Sequence, residues 1–130
     1  MEEKNRSKKV IYYEDERHSR PVEEFINNLD IKTKAKVLAR LEFLGQYWHE
    51  LRRPYIDSLG NDLYELRVIS SGNQIRVIYA YMFKDYIVLL HGIIKKTKAI
   101  PENDILKAKN RMADFQSRYN AGKIKLPTTD

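Results

Sequence analysis

Residues 63–96 hold three β-branched and aromatic runs separated by short, turn-rich breaks. Leu63 to Ile69 is followed by Ser-Ser-Gly-Asn, Gln74 to Tyr81 by a break over Met82 to Asp85, and Tyr86 to Lys96 closes the series. That pattern commits the chain to consecutive antiparallel strands. The third run is apolar almost throughout, as in a strand covered on both faces.

Side chains alternate across a strand, so parity sorts each run into two faces. Tyr64, Leu66 and Val68 oppose Glu65, Arg67 and Ile69. Ile75, Val77, Tyr79 and Tyr81 oppose Gln74, Arg76, Ile78 and Ala80. In the third run Val88, Leu90, Gly92 and Ile94 oppose Ile87, Leu89, His91, Ile93 and Lys95. With matched registers and no bulge, Arg67, Arg76, His91 and Lys95 share one side of a small sheet.

The rest of the chain supplies helices. Pro21 suits a first helical position, and Glu23 and Glu24 favour the positive end of the dipole. Val22, Phe25, Ile26 and Leu29 make its stripe, and Asn28 to Asp30 its end. A longer helix is expected from about Ile31 to His49, with Ile31, Ala35, Leu38, Leu41, Leu44 and Trp48 as its buried seam. Pro101 opens a last helix with a seam of Ile105, Ala108, Met112, Phe115 and Tyr119. Leu51 to Asp62 reads as a loop, and Val10 to Tyr13 as a short strand at the sheet edge. The expected fold is α+β: a small antiparallel sheet with an N-terminal helical hairpin and a C-terminal helix, all helices on one side. Residues 10–119 form the domain, 1–9 a basic arm and 120–130 a tail.

The 130 residues carry a formal net charge of +6, which suggests a polyanionic partner and says nothing about fold. The chain has no cysteine, which excludes disulfides, thiolate nucleophiles and cysteine zinc sites. Its three scattered histidines make no metal site. The first residues lack a signal peptide's apolar core, and no run is long enough to span a bilayer. A cytoplasmic location is expected, with no membrane partner.

Pro21-Val22-Glu23-Glu24-Phe25, Leu63-Tyr64-Glu65-Leu66-Arg67 and Leu89-Leu90-His91-Gly92-Ile93-Ile94-Lys95-Lys96-Thr97 occur in that order. Together they resemble the phage-derived Gp49-like family, which contains HigB-type toxins and belongs to the RelE/ParE toxin superfamily. The likeness runs from about Val10 to Arg118. It implies a toxin of a type II toxin–antitoxin system, without a cofactor. Its partners would be a HigA-like helix-turn-helix antitoxin and mRNA on the ribosome. The RelE and HigB branches cut mRNA; the ParE branch poisons DNA gyrase, and an inactive phage-derived binding module is a further alternative. Two positions depart from the family. Asp57 stands where a lysine is common, and Lys98-Ala99 where glutamine and a basic residue are common.

Metal-free RNA cleavage uses the 2′-hydroxyl as nucleophile. It needs a base, an acid for the leaving 5′-oxygen, and cations for the developing charge. Arg67, Arg76, Lys95 and Lys96 fit the cationic role, and the resemblance places Arg67 and Arg76 at strand positions of catalytic basic residues. The alternative for these arginines is an ion pair with Glu65 or a solvated face. His91 is a candidate acid or base, or else a hydrogen-bonded structural group. Tyr55 is a candidate base stacker, and Lys36, Arg40 and Lys98 candidate RNA contacts. A two-metal nuclease needs clustered carboxylates, and Glu65 is the one acid expected on this face.

Overall fold

A computed structural model describes residues 7–95 and 99–128. Lys96, Lys98 and most of the expected N-terminal arm lie outside the described residues. The elements run β1 (Lys9–Tyr12), α1 (Pro21–Asn27), α2 (Ile31–Tyr47), β2 (Ile56–Gly60), β3 (Leu63–Ser70), β4 (Asn73–Met82), β5 (Tyr86–Lys95) and α3 (Glu102–Asn120). The fold is α+β, with the expected N-terminal pair of helices and C-terminal helix. Pro21 opens α1, and the Asp30 carboxylate caps α2 by accepting from the Thr33 amide at 2.8 Å.

The sheet order is β1-β5-β4-β3-β2, antiparallel except where β1 joins β5 in parallel. The segment expected to be a loop before Leu63 contains β2. Its turn onto β3 has Asn61 and Asp62 both at positive φ (55° and 67°), the mirror-image geometry whose twist matches paired strands. Ser71 and Gly72 repeat this between β3 and β4, at 54° and 80°.

The helices are not all on one side. Helices α1 and α2 cover one face, where Val22, Ile26, Val37, Leu41 and Leu44 meet Leu66, Val77, Tyr79, Ile87 and Leu89. Helix α3 covers the other, where Ala108 and Phe115 meet Leu63, Ile78, Ala80, Val88 and Leu90. Residues beyond α3 join this second core through Ile124 and Leu126, and the Tyr86 hydroxyl donates to the Pro127 carbonyl.

A β-bulge explains how β5 serves both cores. Ile78 pairs with His91 but Tyr79 pairs with Leu89, so Leu90 is an extra residue. From His91 onward the alternation is as expected. Before the bulge it is inverted: Ile87 and Leu89 face the helical hairpin, Val88 and Leu90 face α3. Past the bulge, Gly92 presents bare backbone to the Phe25 ring, and a Cβ there would lie 2.4 Å from a ring carbon.

Helix α2 buries Thr33, Val37, Leu41, Leu44 and Gly45. The expected seam was therefore misplaced in part: Ile31, Ala35 and Leu38 are exposed.

Candidate functional site

The sheet face that holds Ile78 and α3 also carries a belt of charge. Arg67 on β3 lies directly opposite Arg76 on β4, which lies opposite Ile93 on β5. One residue pair along, Asp57 on β2 is opposite Glu65, and Ile78 is opposite His91. The other way, Gln74 is opposite Lys95. Arg67, Arg76, His91 and Lys95 thus share one face, because the bulge falls before His91 and leaves their parity intact.

Glu65 ties the two arginines together. Its Oε2 accepts from Arg67 Nε at 3.1 Å and Nη2 at 2.9 Å, while Oε1 lies 3.7 Å from Arg76 Nε. Arg76 Nη2 donates to Gln74 Oε1 at 2.7 Å. The Arg76 side chain is 1% exposed and that of Arg67 30%, so Arg67 is the member that meets solvent. Arg67 Nη2 also reaches Asp57 Oδ2 at 3.3 Å, and Arg53 donates to Asp57 Oδ1 at 3.1 Å. Burial raises the Asp57 pKa, but hydrogen bonds from Arg53 and the Ser58 amide, with the charges of Arg53 and Arg67, bring it below the usual value. Asp57 therefore adds a second carboxylate to a face on which Glu65 was the only one expected.

His91 joins this face to α3. Its Nε2 is 2.7 Å from Asp104 Oδ1, and Arg111 Nη1 donates to its Nδ1 at 3.2 Å and to the Leu90 carbonyl at 2.7 Å. A guanidinium only donates, so Nδ1 accepts and Nε2 carries the proton toward Asp104. Burial lowers the His91 pKa, and the charges of Arg111 and Lys107 add to that, against the opposing pull of Asp104. Among the described residues no group of three histidines, cysteines or carboxylates could hold a metal ion.

The model of a family described as phage derived protein Gp49-like (DUF891) matches residues 24–113, well over half of the chain. The chain belongs to the Gp49-like family. This family is associated with toxin–antitoxin modules. No curated protein matches the chain. The matched span takes in β2 to β5, hence every described residue of the arginine belt.

Of the other expected site residues of this Gp49-like chain, the described ones, Lys36, Arg40 and Tyr55, do not converge on the belt. Tyr55 sits under the Arg40 guanidinium, 5.1 Å from ring centre to Cζ, and lines a pocket with Phe43 and Leu66 on the helical-hairpin side. Lys36 donates to the Ile69 carbonyl from α2. Lys96 and Lys98 lie outside the described residues. Sequence reasoning missed Arg53, Asp57, Asp104 and Arg111 as members of the face. For Asp57 a signal existed: Gly60-Asn61-Asp62 ahead of Leu63 is hairpin-turn chemistry, which implies a strand before it. For Asp104 and Arg111 none did, since their place depends on which side α3 takes. Among the described residues no helix is long and apolar enough to cross a membrane.

Proposed function

We propose that the protein is the toxin of a type II pair and cleaves mRNA on the ribosome without a metal ion. The 2′-hydroxyl attacks the adjacent phosphate, its proton leaves to a base, and the 5′-oxygen departs with a proton, giving a 2′,3′-cyclic phosphate. Arg67 and Arg76 offset the negative charge that builds on the phosphate, and Lys95 and Lys96 are the further cations assigned to that role. His91 can act as acid or base only by releasing Asp104 or Arg111; in the arrangement described it docks α3. Lys36, Arg40, Tyr55 and Lys98 are the candidates for RNA contact outside the catalytic set. The toxin's partner in the cell is a HigA-like helix-turn-helix antitoxin.

The observation that supports this reading is the placement of Arg67 opposite Arg76, two guanidiniums on either side of one buried carboxylate. An mRNA translated by ribosomes with the natural protein should show new 5′ ends by primer extension, and Arg67→Ala and Arg76→Ala should lose them. Absence of new ends with the natural protein would defeat cleavage. The burial of Arg76 favours a second reading, a module that binds without cutting, such as a gyrase inhibitor. Loss of supercoiling by purified gyrase, with no RNA ends, would select it.

A further inference from the structure

Helix α2 carries a second apolar stripe that the described fold leaves open. Ile31, Ala35, Ala39, Phe43 and Tyr47 follow at four-residue spacing, and all five are exposed. Ile31 is 88% exposed and Phe43 46%, and Leu38 lies beside Ile31 on the same face. Residues at this spacing form a ridge along a helix. The rings of Phe43 and Tyr47 touch, with centroids 4.7 Å apart. Beside Phe43 the stripe opens into a pocket of about 420 Å³, with Leu51 and the buried Leu66 among its walls. An exposed apolar stripe leading to a pocket is the form of a groove that takes a helix with one anchoring side chain.

Charge decides what covers it. Lys32, Lys34, Lys36 and Arg40 accompany the stripe, against a single carboxylate, Glu42. Among the described residues none of these four cations takes part in an ion pair. A second copy in a two-fold contact would bring the same four cations together, which disfavours it. Nucleic acid would suit the lysines but would not remove Ile31, Leu38 and Phe43 from water. A helix with one apolar stripe and carboxylates on its flanks satisfies both demands.

We propose that the outer face of α2 is the docking site for an acidic amphipathic helix of a second protein. This goes beyond the nuclease reading and does not depend on its arginines, because Arg67 and Arg76 lie on the opposite side of the sheet; it assigns Lys36 and Arg40, candidates for RNA contact in that reading, to the docked helix.

The probe is a fluorescein-labelled helical peptide of about 18 residues, leucine and alanine on one face and glutamate on both flanks. Its control carries lysine in place of every glutamate. The full-length protein should raise the anisotropy of the glutamate peptide saturably, with affinity falling as salt rises. The double variant Leu38→Glu/Phe43→Glu should weaken binding at least about tenfold. Both side chains are exposed, so far-UV circular dichroism and the Tm should stay unchanged. Lys32→Glu/Lys36→Glu, which replaces no apolar residue, should weaken binding as well. The proposal is overturned by any of four results: no saturation, equal binding of the lysine peptide, unchanged affinity in both variants, or a wild-type dimer that Leu38→Glu/Phe43→Glu makes monomeric. Displacement of the peptide by poly(U) that survives both variants would equally overturn it.

Discussion

Replacing Glu65 tests how the belt is held. Its carboxylate faces Arg67 on one oxygen and Arg76 on the other, and both Glu65 and Arg76 are buried. Glu65→Ala leaves the Arg76 guanidinium in the interior without that carboxylate. Breaking a buried charge pair from one side costs about 3–5 kcal/mol, because the remaining charge keeps its desolvation penalty. Arg67 adds little to this loss, since it is partly solvated and retains Asp57 at 3.3 Å. With a urea m-value of about 2 kcal/mol/M, the midpoint should fall by about 2 M. Glu65→Leu/Arg76→Met removes both charges and keeps the volume, so it should recover most of the loss. Chemical denaturation followed by tyrosine and tryptophan fluorescence reads both quantities. A midpoint within about 0.3 M of wild type for Glu65→Ala, or a double variant no better than the single, would refute the reasoning.

Three further outcomes follow from the geometry. Arg67→Ala should lower the proposed mRNA cleavage by about 10²-fold or more with little change in midpoint, whereas Arg76→Ala should lower both that cleavage and stability. Primer extension beside urea melts separates the two, and equal effects on stability would contradict the difference in burial. Below the ordinary histidine pKa near 6.5 the unfolded chain takes up a proton that partly buried His91 resists, so stability should fall as pH drops through 6.5. Asp104, Arg111 and Lys107 are the charges that face the ring. His91→Gln should flatten the stability–pH curve between about pH 7.5 and 5.5, and an unchanged slope would remove His91 as its source. Gly92→Ala drives a methyl into the Phe25 ring and should cost about 1–3 kcal/mol, part of it recovered in Gly92→Ala/Phe25→Leu; a neutral thermal melt would show that the ring moves freely.

Much of this fold is legible in residue order. The three-strand core, the N-terminal helices and the last helix come from periodicity and caps alone. The bulge at Leu90 left no mark, because a run apolar on both faces reads the same in either parity. The side taken by α3 follows from that bulge, since Val88 and Leu90 then need a cover of their own. Helix α2 misled for a different reason: it has two apolar stripes, and periodicity cannot say which one meets the sheet. The common face of Arg67, Arg76, His91 and Lys95 was readable because all four lie where alternation is regular. Their partners were not, since ion pairs such as Arg67 with Asp57 join residues that only the finished sheet brings together.

The parallel pairing of β1 with β5 also orders events during synthesis. Lys9 pairs with Tyr86, and the Tyr13 hydroxyl reaches Asp114, 101 positions later. The strand that leaves the ribosome first therefore waits until β5 has been made before it finds its place. A nascent chain halted before β5 leaves β1 without its pairing strand, and one halted before α3 leaves the second core bare, so a truncated product has no finished fold.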